Sequence, residues 1–131
     1  MLDRDNTHEI SWDLVRECVS KITCQIVDSK KTFDCIYGIP RGGYIPAHLL
    51  GHELNIPYTL AIDSLVREKY KNILIIDDIS CTGKTLESFP EYTRASLFYR
   101  SESSVLPDFY GMSVRHKRFL VFPWELEYEN G

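Results

Sequence analysis

Strand-forming apolar runs alternate with helix-forming segments along most of this chain. The predicted helices start near Trp12, Pro46 and Lys84, and the predicted strands cover residues 35–39, 57–62, 72–76 and 95–99. Strands that alternate with helices favour a parallel sheet with helices on both faces. We therefore expect an α/β fold with a mostly parallel central sheet, formed by residues 1–131 as a single domain.

The first helix has the clearest periodicity in the sequence. Apolar residues recur at steps of three and four between Trp12 and Ile26, and Ser11 stands where its hydroxyl can cap the helix. This pattern predicts an amphipathic helix with one apolar face, which has to pack against the sheet.

Composition and charge exclude several classes of protein. Hydrophobic residues make up 44% of the chain and charged residues 26%, as in ordinary globular proteins. The formal net charge of −4 does not favour a nucleic acid partner, so any anion site has to be local. No apolar run approaches the roughly 20 residues of a membrane span, and the polar N-terminus lacks the pattern of a secretory signal. We expect a cytoplasmic protein that does not bind membranes, with its four cysteines as free thiols.

Two polar loops follow predicted strands, at residues 40–44 and 77–85. In open parallel sheets, ligands bind outside the carboxyl ends of the strands. These two loops are therefore the candidate binding site.

The second loop joins an apolar strand to a helix through two carboxylates and a glycine-bearing turn. Asp77 and Asp78 can accept hydrogen bonds from sugar hydroxyls or bind a divalent cation. The free backbone N–H groups between Ser80 and Thr85 can hold a phosphate, and Gly83 allows its close approach. An ordinary acidic turn before a helix is the alternative interpretation. A nucleoside-triphosphate P-loop is excluded, because Asp78 stands where that motif needs glycine.

Four apolar residues, two acidic residues and a T-G-x-T turn resemble the phosphoribosyl-diphosphate (PRPP) signature of the type I phosphoribosyltransferases. The resemblance implies that Asp77 and Asp78 hold the ribose hydroxyls and a metal ion. It also implies that the turn binds the 5′-phosphate of PRPP through Ser80, Cys81, Thr82, Gly83, Lys84 and Thr85.

The first loop, Arg41-Gly42-Gly43, is similar to the diphosphate-binding loop of that family. Arg41 has a guanidinium that can bind the diphosphate in a bidentate manner, and the glycines let backbone N–H groups reach it. The resemblance also predicts a cis peptide bond between Pro40 and Arg41. On its own, an R-G-G run is equally compatible with an ordinary turn.

The C-terminal residues resemble the base-binding segment of the xanthine-guanine branch, which forms a small hood over the sheet. The resemblance implies that Phe119 stacks on the base, that Leu120 and Val121 offer backbone contacts, and that Glu125 accepts from an exocyclic amino group. Arg100 stands where that branch has a lysine that donates to the 6-oxo group of a purine. The alternatives are a packed terminal strand for this segment and a solvated strand end for Arg100.

Two departures from the family pattern affect these expectations. Cys81 replaces an aspartate of the hypoxanthine- and guanine-type enzymes, and a thiol cannot serve as that carboxylate at neutral pH. Only residues 63–71 separate the second strand from the third, where the family usually has a longer mobile loop. A shorter loop predicts weaker exclusion of water from the site.

Together these features predict a Mg²⁺-dependent phosphoribosyltransferase that joins a nucleobase, a 6-oxopurine, to PRPP with release of diphosphate. A non-catalytic module that senses PRPP or a nucleotide is the alternative. The family resemblance implies a homodimer or a higher homo-oligomer. His48 and His52 have the spacing of two metal ligands on one helix face, but no third ligand is near them in the sequence.

Overall fold

The computed structural model describes residues 6–125, which form seven strands and four helices. In chain order these are β1 (Thr7–Glu9), α1 (Trp12–Ser29), β2 (Cys35–Gly38), α2 (Tyr44–Leu54), β3 (Tyr58–Thr59), α3 (Ser64–Lys69), β4 (Ile73–Ser80), α4 (Lys84–Glu87), β5 (Thr93–Arg100), β6 (Phe109–Val114) and β7 (Phe119–Val121). The central sheet has five strands in the order β3-β2-β4-β5-β6, and all of its strand pairs are parallel. The predicted α/β fold with a parallel sheet is confirmed.

Helices cover both faces of the central sheet. Successive residues of a strand point to opposite faces, so each strand contributes to two apolar clusters. Leu74 and Ile76 pack in the larger cluster, which contains the apolar face of α1 and buried residues of α2. Ile73 and Ile75 pack in the smaller cluster, which is covered by residues of α3 and by Leu86 of α4. The sheet is therefore buried between two long helices on one face and two short ones on the other.

The first helix forms as its periodicity predicts. Ser11 caps it, because the Ser11 hydroxyl accepts a hydrogen bond from the Leu14 N–H at 3.1 Å. The helix ends at Lys30, which adopts the left-handed conformation at φ 62°. The residues that α1 buries are those of the predicted stripe: Val15, Cys18, Val19, Ile22 and Ile26.

A second, two-stranded sheet joins the two ends of the described chain. β1 pairs with β7 in parallel, and the Ile10 N–H extends the ladder by donating to the Val121 carbonyl at 2.8 Å. Trp124 stacks on Phe122, with ring centroids 4.9 Å apart and an angle of 9° between the rings. This small sheet is the expected C-terminal hood, and it includes β1, which the sequence did not predict.

Three elements differ most from the sequence prediction. β4 does not end at residue 76: it continues through Asp77 and Asp78 to Ser80, because β5 pairs with it over that length. β3 has only two residues, because the Thr59 side chain bonds to the backbone of Ala61 and turns the chain away. Residues 64–69 form a helix rather than a loop, and the Asp63 carboxylate caps it by accepting from the Val66 N–H.

The cysteines are free thiols, as expected. All four cysteines are unpaired, with Cys18 and Cys35 buried and Cys24 and Cys81 exposed. Burial raises the pKa of the Cys18 thiol to about 12. Within residues 6–125, no helix has both the length and the apolar character needed to cross a membrane.

Candidate active site

The candidate site lies where the strand order of the sheet reverses. From β2 the chain continues to β3 on one side, whereas β4 lies on the other side of β2. The loops that leave β2 and β4 therefore diverge, and a crevice opens between their carboxyl ends. The Arg41 loop, residues 40–43, leaves β2, and the acidic pair, Asp77 and Asp78, lies in the last part of β4. The fold thus brings together the two loops that the sequence singled out.

The acidic pair is mostly buried at the end of β4. Asp77 is 8% exposed, and Asp78 is half-buried. Each carboxylate accepts one backbone hydrogen bond, Asp77 from the Asp78 N–H at 2.8 Å and Asp78 from the Ile79 N–H at 2.7 Å. Burial raises the pKa of both carboxyls, and the charge of Asp78 raises the pKa of Asp77 further. Two adjacent buried carboxylates are favourable only with a ligand that donates hydrogen bonds or carries positive charge.

The Arg41 loop packs directly against the acidic pair. A β-carbon on Gly42 would lie 2.3 Å from Oδ2 of Asp78, and one on Gly43 would lie 2.4 Å from the Ile76 carbonyl oxygen. The peptide bond between Pro40 and Arg41 is cis, as predicted. The Arg41 side chain is exposed, at the edge of the crevice. Glycine is therefore required at positions 42 and 43 for the loop to lie against β4.

The Gly83 turn, residues 81–85, follows β4 and leads into α4. Gly83 has φ 92°, a backbone conformation that residues with a β-carbon rarely adopt. The Thr82 hydroxyl accepts a hydrogen bond from the Lys84 N–H at 3.3 Å. Gly83 is buried, whereas the other residues of this turn that the sequence predicts to bind phosphate are exposed: Cys81, Thr82, Lys84 and Thr85.

Ser80 differs from the exposed predicted phosphate ligands, because it is 4% exposed and its side chain is bonded within the protein. Its hydroxyl lies 2.8 Å from the Ser103 hydroxyl. The Ser104 N–H donates to the Thr82 carbonyl at 2.8 Å. Ser103 and Ser104 therefore support the Gly83 turn from behind. Neither residue was predicted from the sequence, where the signal is a serine-rich run directly after β5.

The predicted base-binding residues lie in the small sheet. The Phe119 ring is 52% exposed, whereas Leu120 and Val121 are buried. The Val121 carbonyl is already bonded to Ile10, so it is not open to a ligand. Because backbone groups alternate in direction along a parallel ladder, those of Leu120 point to the opposite edge of β7. Glu125 is half-buried beyond the small sheet.

Arg100 is buried at the end of β5 and is bonded to protein groups. It is 8% exposed, and its guanidinium donates to the carbonyl oxygens of His116 and Arg118, each at 2.5 Å. Arg100 is therefore not a solvated strand end, and its contact to a base remains a prediction.

Asp77 and Asp78 are the candidate metal ligands of the site. Within residues 6–125, no group of three or more His, Cys, Asp or Glu side chains could hold a metal ion. His48 and His52 are exposed on α2, and the His48 ring packs edge-on against Tyr58. Two carboxylates without a third ligand fit Mg²⁺, which keeps several waters and shares its coordination with substrate phosphates. Asp77 and Asp78 are therefore a chemically suitable pair for Mg²⁺.

Sequence comparisons find purine phosphoribosyltransferases. No family model matches the chain. The chain is 29% identical over 136 residues to the xanthine-guanine phosphoribosyltransferase of Chromohalobacter salexigens, covering 89% of this chain and 83% of that protein. It is 28% identical over 141 residues to the enzyme of the same name from Desulfotalea psychrophila, covering 92% and 88% of the two chains.

Solved structures with the same fold carry related names. The purine phosphoribosyltransferase of Pyrococcus horikoshii superposes with a TM-score of 0.71 at 27% identity, over 91% of this chain and 93% of that one. The xanthine-guanine-hypoxanthine phosphoribosyltransferase of Helicobacter pylori has a TM-score of 0.77 at 19% identity, with coverages of 95% and 97%. The second similarity shows the fold alone.

Proposed function

The chain belongs to the type I phosphoribosyltransferases, a family of enzymes, and to their purine branch, and on that basis we propose that it transfers the phosphoribosyl group of PRPP to a 6-oxopurine with release of diphosphate. Guanine, xanthine and hypoxanthine are the candidate bases. The xanthine-guanine enzymes among its relatives support the choice of base.

One observation carries the proposal: the Arg41 loop lies against the carboxylate of Asp78 at the switch point of the sheet. A sugar with two neighbouring hydroxyls and a diphosphate on the anomeric carbon matches this pairing of acceptors and donors. Asp77 and Asp78 accept from the ribose hydroxyls, and Arg41 with the N–H groups of Gly42 and Gly43 binds the diphosphate. The protein has a formal net charge of −4 and therefore does not attract this anionic substrate as a whole, so the groups of the two loops have to bind it.

The Gly83 turn holds the 5′-phosphate. Thr82 and Thr85, whose hydroxyls can donate, are exposed directly after β4, next to the acidic pair, and the backbone N–H groups of the turn are the further donors of the proposal. Lys84 adds a positive charge to the same turn. With the phosphate and the diphosphate both fixed, the anomeric carbon is held in one position relative to the base.

Transfer at the anomeric carbon develops positive charge on the sugar, so positioning and electrostatics provide most of the catalysis. The carboxylates of Asp77 and Asp78 lie on the sugar side and favour that charge. Mg²⁺, held by these carboxylates together with substrate oxygens, would neutralise the negative charge of the departing diphosphate.

The base binds between the crevice and the small sheet. The exposed ring of Phe119 offers a stacking surface, and the backbone groups of Leu120 point away from β1 and can read the edge of the base. Glu125 is the acceptor for an exocyclic amino group. A homodimer or a higher homo-oligomer is part of the same proposal.

The test is a transfer assay with PRPP, Mg²⁺ and five bases: guanine, xanthine, hypoxanthine, adenine and uracil. Formation of a purine nucleotide together with an equal amount of diphosphate is the expected result. The variant with both Asp77→Asn and Asp78→Asn should lose this activity, while Asp28→Asn, on the exposed side of α1, should retain it. Binding of PRPP without turnover of any base would contradict the proposal.

Absence of turnover would favour a sensor of PRPP or of a nucleotide. Two observations favour this second function: Cys81 replaces the acidic residue of the turn, and residues 63–71 hold a capped helix rather than a long loop. A sensor has to bind PRPP or a nucleotide without catalysing a reaction. Calorimetry measures this binding directly.

A further inference from the structure

The side chain of Arg100 joins β5 to the segment that precedes β7. We propose, given the function above, that Arg100 is a positioning residue that holds the base-binding hood in place and does not contact the base itself. Its two hydrogen bonds to the carbonyls of His116 and Arg118 carry the inference. Both carbonyls belong to residues just before Phe119, the predicted stacking residue.

The geometry of these bonds requires an arginine. The planar guanidinium donates from Nη1 and from Nη2 to two carbonyls that are two residues apart in the chain. Hydrogen bonds from a charged donor are stronger than neutral ones, and a buried guanidinium needs such partners. A lysine ammonium at the same place is a single point charge and cannot match a fork of two acceptors.

The same stretch of chain also supports the phosphate side of the site. The Ser103 N–H donates to the Arg100 carbonyl at 2.9 Å, and the Ser103 hydroxyl lies 2.8 Å from that of Ser80. Residues 100–104 therefore touch the Gly83 turn at one end and the hood at the other. Arg100 is the part of this connection that reaches the base side.

The hood depends on these two hydrogen bonds from Arg100, which we call the clamp, because residues 115–119 are exposed to solvent. The His116 ring bonds to His8 of β1 at 2.9 Å, so the carbonyl of His116 is held by β5 and its ring by β1. Loss of the Arg100 bonds should detach residues 116–119 from β5 and leave their contacts to β1, whereas Leu120 and Val121 keep their buried side chains. The Phe119 ring would then lose its fixed position.

Two readouts on three variants test the proposal: hydrogen exchange of residues 116–121, which needs no activity, and steady-state kinetics. Arg100→Met should speed amide exchange in this segment by about tenfold or more and raise the KM for the base by about tenfold. The KM for PRPP should change less than about twofold, because the Gly83 turn keeps its own contacts. Arg100→Lys keeps the positive charge but cannot form both hydrogen bonds. It should therefore raise the exchange rate and the KM for the base by about threefold each. Arg115→Lys, an exposed arginine of the same segment, should change neither readout.

A donor to the base would behave differently, because a lysine can also donate to a 6-oxo group. Arg100→Lys with unchanged exchange and unchanged base KM would overturn the clamp. A variant that alters the ratio of 6-oxopurine to adenine binding while leaving exchange unchanged would also overturn it. If the protein has no transferase activity, the proposed function fails, and the exchange data on the same variants still decide the clamp.

Discussion

Gly42 and Asp78 are in direct contact: a β-carbon on Gly42 would lie 2.3 Å from Oδ2 and 2.5 Å from Cγ of Asp78. The contact joins the loop after β2 to the end of β4. The position of the Asp78 carboxylate therefore depends on the absence of a side chain at residue 42.

Replacement of Gly42 by alanine should move this carboxylate. The added methyl group forces the Asp78 side chain to rotate and to lose its bond from the Ile79 N–H, so we expect transferase activity to fall by about a hundredfold. The free energy of unfolding, measured in urea, should also fall by about 1–2 kcal/mol. In an Asp78→Ala background the same substitution should cost clearly less, and an equal cost in both backgrounds would contradict the contact.

Asp77→Asn should stabilise the protein at alkaline pH while it reduces activity. Burial, together with the charge of Asp78, raises the pKa of Asp77 to about 8, so the folded chain keeps a proton that the unfolded chain releases near pH 4. The free energy of unfolding therefore falls as the pH rises from about 4 to about 8. The variant should be more stable than the wild type by about 1–3 kcal/mol at about pH 8 and by less at about pH 5. Equal pH profiles for the two proteins, measured in urea, would rule this out.

Ser103→Ala tests the support of the Gly83 turn. It leaves the buried hydroxyl of Ser80 without its partner, so the free energy of unfolding should fall by about 1–2 kcal/mol and the KM for PRPP should rise. Ser101→Ala is the matched control in the same loop, because Ser101 is exposed, and its effect should stay within about 0.5 kcal/mol. Equal effects of the two substitutions would show that Ser103 has no special role.

Acidic pH should loosen the attachment of β1. The His116 Nδ1 accepts from the Arg118 N–H at 3.1 Å, which requires a neutral ring, and its Nε2–H then donates to Nδ1 of His8 at 2.9 Å. Burial, and then the charges of His8, Arg100 and Arg118, lower the pKa of His116, so its contribution to stability is present at neutral pH and is lost as the pH falls below about 6.5. Amide exchange of residues 7–10, corrected for the intrinsic effect of pH, should speed up between about pH 7 and about pH 5.5. His116→Phe should remove this dependence, whereas His52→Gln on α2 should not.

Cys81→Asp tests whether the missing carboxylate limits catalysis. An aspartate at this exposed position places an acid or base beside the predicted base site, so kcat with a 6-oxopurine should rise by about tenfold or more while the KM for PRPP stays the same. Cys81→Asn has the same shape without the charge. An equal gain from asparagine would show that the carboxylate is not the cause.

The sequence predicted what local patterns determine. The periodicity of α1 and the apolar strand at residues 73–76 were confirmed, and so was the cis bond before Arg41, which the family resemblance implied. The strand order also brings the two polar loops to the same edge of the sheet. The extent of β4 was wrong, because its pairing with β5 keeps Asp77 and Asp78 in the strand, and nothing local encodes that partner. The short helix α3 was missed, because six residues without a buried side chain leave no apolar period to detect.

Hydrogen bonds between residues far apart in the chain were also not predicted from the sequence. The two carbonyls that Arg100 binds and the Ser80 hydroxyl that Ser103 meets lie on other elements, and their positions follow only from the folded sheet. A basic residue or a serine at a strand end looks the same in sequence whether it meets a ligand or the protein. The clamp by Arg100 therefore became visible only with the structure.

The pairing of β1 with β7 also sets the order in which the protein can be assembled on the ribosome. Thr7 and Phe119 are register partners although more than one hundred residues separate them in the chain. Closing a loop of that length is entropically costly and has to wait until β7 has been synthesised. The crevice between β2 and β4 needs no residue of β7, so the sugar-phosphate half can form while the chain is still growing. The small sheet is completed last, and a nascent chain that stops before residue 119 lacks Phe119, the residue that we propose to stack on the base.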